Sequence, residues 1–171
     1  MKRIILTTFL LFSFLTYTGA QEPQKTRKER RAERQEQKMK EVKNLLESKK
    51  FVFNATHALP MGGGSVYLNY SYDVEVKGDT VNSYLPFYGV AYRLDYGGRN
   101  AGFDFTEPAG EYSFEKEDKG YKVEFEIDKG MDNLNYTFHI SELGYATLNV
   151  ISTNRQAISY YGRIEAPEEE E

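Results

Sequence analysis

The sequence predicts an all-β domain: an antiparallel meander of about eight or nine strands, forming a sandwich or small barrel and preceded by a charged N-terminal helix. Three observations carry that prediction. Apolar residues recur with a period of two through most of residues 51–164, the mark of strands with one buried face. Clusters of Gly, Asn, Asp and Ser separate these runs at hairpin spacing. No helical pattern comes between them, which disfavours a parallel α/β sheet.

The first element is an address. Lys2 and Arg3 precede the apolar run Ile4 to Leu15, and Thr18-Gly19-Ala20 offers small residues before Gln21, so residues 1–20 read as a cleaved secretory signal. A membrane-spanning helix needs about 20 apolar residues, and this run is shorter. The 171-residue chain contains no cysteine, so neither lipid attachment through a new N-terminal Cys nor a disulfide framework is expected. The expected product is exported, periplasmic or secreted, soluble and not a lipoprotein. A chain of about 150 residues buries roughly 68–70% of its unfolded surface, enough for one domain held by packing.

Residues 21–50 read as a charged basic helix or linker. They carry 11 Lys/Arg against 6 Glu, whereas residues 51–164 carry 9 against 15 acidic groups and residues 165–171 carry 5 Glu with no base. The net charge of -4 thus conceals a basic head, a mildly acidic body and an acidic, disordered tail at 165–171. Thr26 and Glu29 fit a capping box and predict a helix from about Thr26 to Lys49. From Arg27 to Gln37 only Ala32 is apolar, but Met39, Val42, Leu45 and Leu46 then make a short stripe. The second half is therefore expected to dock and the first to project or fray. A coiled coil is also expected of this helix. Its cations could meet acidic headgroups or the chain's own Glu168 to Glu171, yet it lacks the long apolar face of a membrane-inserting helix, and nucleic acid is not an expected partner.

The clearest strand is Val66, Leu68, Tyr70, Tyr72, Val74, Val76, interleaved with Tyr67, Asn69, Ser71, Asp73, Glu75 and Lys77. Lys77-Gly78-Asp79-Thr80 turns the chain back through Val81 to Leu85 as a hairpin. Further runs lie at Phe51 to His57, Tyr112 to Glu115, Tyr121 to Asp128, Leu134 to Ser141, Tyr145 to Ile151 and Ala157 to Ile164. Between Leu85 and Tyr112 the residues Pro86, Gly89, Gly97 and Gly98 argue against a helix. A strand near Gly89 to Asp95, a glycine-rich crossing and a strand at Gly102 to Thr106 are expected there.

Chemistry is sparse. His57 and His139 are the only groups whose ordinary pKa suits neutral acid/base work, and neither has a partner identifiable in the sequence. Two separated histidines and no cysteine make a zinc site unexpected. Asp128 to Asn133 lacks the ligand spacing of a calcium loop, and Gly62-Gly63-Gly64-Ser65 precedes a strand rather than the helix a phosphate loop requires. No cofactor, metal or catalytic residue is therefore assigned. The compositional excess is aromatic, with 14 Tyr and 11 Phe but no Trp. Tyrosines serve a core or a ligand cleft, because the ring stacks while the hydroxyl finds a partner. Tyr84, Tyr88, Tyr92 and Tyr96, spaced by four, are the ligand-cleft candidates. The polar turn Asn154-Arg155-Gln156 is a further binding candidate, set against ordinary turn chemistry.

Four strings carry a family resemblance: Glu47-Ser-Lys-Lys-Phe-Val-Phe, Pro60-Met61, Val76-Lys-Gly-Asp-Thr-Val with Ser83-Tyr84-Leu85-Pro86-Phe87-Tyr88-Gly89, and Thr153-Asn-Arg-Gln-Ala-Ile-Ser-Tyr-Tyr-Gly. From about Val42 to Ile164 the chain resembles domain-of-unknown-function family 4251, small exported proteins of Bacteroides-type bacteria. The resemblance implies a periplasmic, surface or secreted bacterial setting and carries over no catalytic or ligand residues. The expected function is a non-enzymatic binding or interaction module of the bacterial envelope, its partner an envelope component or small ligand. The alternative is a hydrolase acting on glycans through an unrecognised carboxylate pair.

Overall fold

In the computed structural model of the chain, residues 26–93 and 102–168 are described. The expected signal at 1–20, Tyr96 and the last glutamates lie outside them. Helix α1 spans Arg27–Glu47, and its capping box forms as expected. The Thr26 N–H donates to Glu29 Oε2 at 2.8 Å, and the Glu29 N–H to Thr26 Oγ1 at 3.3 Å. Val42 and Leu46 are fully buried, with Leu45 half-buried beside them. Lys49, with φ 54°, ends the helix in the left-handed region, and its N–H reaches the Leu46 carbonyl at 3.2 Å. Among the described residues α1 is the only helix, so a coiled coil finds no partner there.

The strands are β1 (Lys50–Pro60), β2 (Val66–Lys77), β3 (Thr80–Leu85), β4 (Phe103–Pro108), β5 (Ser113–Glu117), β6 (Gly120–Asp128), β7 (Asn133–Ser141), β8 (Tyr145–Ser152) and β9 (Ile158–Glu165). They form one antiparallel sheet in the order β4-β3-β2-β1-β9-β8-β7-β6-β5, which curls into a half-barrel. The first and last strands therefore pair at its centre, in a register that sets Phe53 against Ile164. The edge strands β4 and β5 are consecutive in the chain. Their link is tied to both sides of the opening, where the Ala109 N–H donates to the Asp79 carbonyl at 2.8 Å and the Gly110 N–H to that of Glu126 at 2.7 Å.

The strand expected near Gly89 to Asp95 does not form over its described part. Ala91 makes a single bridge to Arg155, and residues 86–93 run as a strap. Pro86 lacks a donor, and the strap's N–H groups turn to residues 154–156: Tyr92 N–H donates to the Asn154 carbonyl at 2.8 Å, and Val90 N–H to Gln156 Oε1 at 3.1 Å.

Alternation sends one face of most strands inward, where aromatic rings fill the half-barrel, although β2 breaks it at Tyr70, which is exposed. Phe138 meets Phe51 and Phe53 edge-on at 5.9 and 5.5 Å, while Phe125 stacks on Tyr136 at 5.5 Å. The inner tyrosine hydroxyls are satisfied. Tyr136 OH pairs with Ser83 Oγ at 3.1 Å, and Tyr160 OH donates to the Pro86 carbonyl at 2.7 Å. Burial pushes both phenols well above their ordinary range. Tyr112 stacks on Phe125 and donates to the Leu46 carbonyl at 2.8 Å, fastening the end of α1 to the sheet.

Candidate functional site

The outward faces of the same strands carry the less expected feature. Register places Tyr67, His57, Tyr161, Thr147, His139 and Lys122 in one row across β2, β1, β9, β8, β7 and β6. The two histidines, far apart in sequence, thus lie on one face. Tyr67, Tyr145 and Tyr161 are 66%, 54% and 49% exposed. With Thr56, His57, Thr147 and Arg163 they line a cleft of about 510 Å³.

Against β9, β1 carries a bulge between Ala55 and His57 that shapes this cleft, one extra residue re-aiming the side chains that follow, whereas against β2 the extra residues of the irregular pairing belong to β2, between Tyr67 and Tyr72. Thr56, the extra residue, donates through its hydroxyl to the Tyr161 carbonyl at 3.1 Å, and His57 Nδ1 lies 3.0 Å from the same Oγ1. Beside the bulge stands Gly162, where a Cβ would collide with the Asn54 carbonyl and the Phe53 ring. Neighbouring side chains hold two of the three exposed rings. His57 packs against Tyr67 at 5.3 Å between centroids, and Arg163 lies 4.4 Å from the Tyr145 centroid while donating to its hydroxyl at 2.8 Å.

Of the tyrosines expected to share a cleft, Tyr84 and Tyr88 both lie close to Tyr72. Tyr84 is 48% exposed and packs on Tyr72 at 5.2 Å, Tyr88 belongs to the strap, and Tyr92 is 68% exposed. Among the described residues no ring contact joins Tyr84, Tyr88 and Tyr92. The Asn154-Arg155-Gln156 turn is bound into the fold. Asn154 is buried, its Nδ2 donating to the Met131 carbonyl at 2.9 Å, and Gln156 holds the strap. The Arg155 guanidinium lies 5.6 and 5.1 Å from the Phe87 and Phe103 ring centroids and donates to the Gly102 carbonyl at 3.0 Å. Buried Asp132 accepts from Ser152 Oγ at 2.7 Å and from the Asn154 N–H at 3.3 Å.

A second outer cleft, of about 500 Å³, is acidic, with Asp73, Glu75, Glu165 and Glu168 in its lining. Burial, helped by Glu75, holds the Asp73 carboxyl above its ordinary range. Glu75 pairs with Lys77 at 3.0 Å, and Asn54 Nδ2 donates to Glu165 at 2.8 Å.

Sequence reasoning missed Tyr67, Tyr145 and Tyr161, although a signal was present. Tyr67 and Tyr161 occupy positions that alternation assigns to the polar face, where a large aromatic ring has no packing reason to be. Their meeting with Tyr145 depends on the pairing of β2, β1, β9 and β8, which a single strand's pattern does not contain.

The profile of the family described as domain of unknown function (DUF4251) matches residues 33–164. The fold is similar to the crystal structure of a DUF4251 family protein from Bacteroides eggerthii DSM 20697, with a TM-score of 0.58 and 13% identity over 75% of this chain and 87% of that one. No curated protein matches the chain.

Proposed function

Because the chain belongs to the DUF4251 family, a domain of unknown function, we propose a role from its geometry: an exported, non-enzymatic binding module of the bacterial envelope whose contact surface is the outer tyrosine cleft. One observation carries the reading. Tyr67, Tyr145 and Tyr161 are exposed, yet His57 and Arg163 pack on two of the rings and Thr56 ties down the backbone of the third. Large side chains held in place before a partner arrives lose little freedom on binding, which favours recognition. In the acidic cleft, Glu75 and Glu165 are paired with Lys77 and Asn54.

The test is capture of native envelope material on the immobilised protein, with bound components identified by mass spectrometry. The wild type should retain a component that a Tyr67→Ala, Tyr161→Ala double variant releases. Equal retention by both would show that the outer cleft is not the contact surface.

A further inference from the structure

We infer that the outer cleft takes an oligosaccharide, a ligand class that rests on the outer-cleft reading above. Tyr67 and Tyr161 flank His57 on adjacent strands, two strand spacings or about 10 Å apart. Tyr145 stands beside them on β8, where its partner in register is Arg163. Sugar rings present flat C–H faces that stack on aromatic rings and equatorial hydroxyls that need donors and acceptors at the edges. The cleft offers both. Its rings are bordered by the hydroxyls of Thr56 and Thr147, the imidazole of His57 and the guanidinium of Arg163.

What the lining omits narrows the class. No residue of this cleft is a carboxylate, and its only aliphatic side chain is Ala146. A peptide or lipid partner would call for a larger aliphatic centre, and a cationic polymer would meet Arg163 with no countercharge. A neutral or acidic sugar meets neither obstacle. At about 510 Å³ the cleft falls within the usual 300–1,000 Å³ of small-ligand sites. Sugars lose much of their binding energy to ordering, so pinned rings matter more for them than for most ligands.

The experiment is isothermal titration of the full chain with cellohexaose, xylohexaose, mannohexaose, maltohexaose and a hexamer of galacturonic acid. At least one should bind, and Tyr67→Ala and Tyr161→Ala should each weaken it roughly tenfold while leaving the unfolding midpoint unchanged. Tyr67→Phe, which keeps the ring, should recover most of the affinity and guards against a folding defect in the alanine variants. Binding unaltered in both alanine variants would place the sugar elsewhere and overturn the inference. If none of the sugars binds while the double variant still loses its envelope component, the outer cleft stands and the sugar class falls. If capture is also unchanged, both fall.

Discussion

Tyr160 and Tyr161 are neighbours in sequence and opposites in role. Tyr160 is 0% exposed, its ring in the half-barrel and its hydroxyl on the Pro86 carbonyl, whereas Tyr161 is 49% exposed on the row with His57 and Tyr67. The difference shows that the half-barrel uses one residue type in two ways and that strand parity chooses between them. Inside, a tyrosine fills volume and its hydroxyl must be satisfied. Outside, the same ring stands on a backbone tied down by the Thr56 hydroxyl and presents a surface.

The comparison breaks most visibly if the inner ring is removed. Tyr160→Ala should cost about 3–5 kcal/mol in urea denaturation, the range for large aromatic-to-alanine changes in a core. Alkali probes the same face. The Tyr136 and Tyr160 phenols are held above their ordinary pKa, chiefly by burial. Their contribution to stability is whole below a pH of about 10 and is lost as pH rises through the higher folded values. The share of tyrosinate absorbance that comes from the inner phenols should therefore appear only with the loss of circular dichroism above that pH; inner phenols that ionise with the fold intact would contradict the burial argument.

Arg155→Ala tests the strap. It removes the cation between Phe87 and Phe103 and leaves buried Asp132 without its nearby guanidinium, 4.0 Å from Nε to Oδ2. A loss of roughly 2–3 kcal/mol is expected, with hydrogen exchange rising first at the amides of Val90 and Tyr92. Gly162→Ala should cost roughly 1–3 kcal/mol, because the added methyl meets Asn54 backbone and the Phe53 ring across the β1–β9 pairing. The smallest effect belongs to the outer face. Tyr161→Ala should change stability by no more than about 0.5 kcal/mol, and a core-sized loss there would mean that the two faces are not distinct.

The local elements were legible because local chemistry determines them. The alternation from Val66 to Lys77 marks the limits of β2, and Thr26 with Glu29 marks the start of α1. The strap was not legible. Gly89 to Asp95 has strand-like alternation, but its bonding partners sit in the turn at 153–156, and the sequence does not indicate that this turn comes within reach. Asn154, Arg155 and Gln156 illustrate the same limit. Their polarity marks a turn, while their burial and their bonds to Met131, Gly102 and Val90 follow from tertiary placement. The outer cleft needed cross-strand register, which is a property of pairs of strands rather than of any one.

The central position of β9 has a consequence for the order of synthesis. Strands β1 to β4 and β5 to β8 are each a run of neighbouring antiparallel strands, and within the sheet β9 bridges them, pairing with β1 on one side and β8 on the other. A growing chain therefore carries two half-sheets with open edges until its last strand has been made. Loss of β9 would open the sheet at its middle, leaving β1 and β8 each with an unpaired edge, rather than fray a margin.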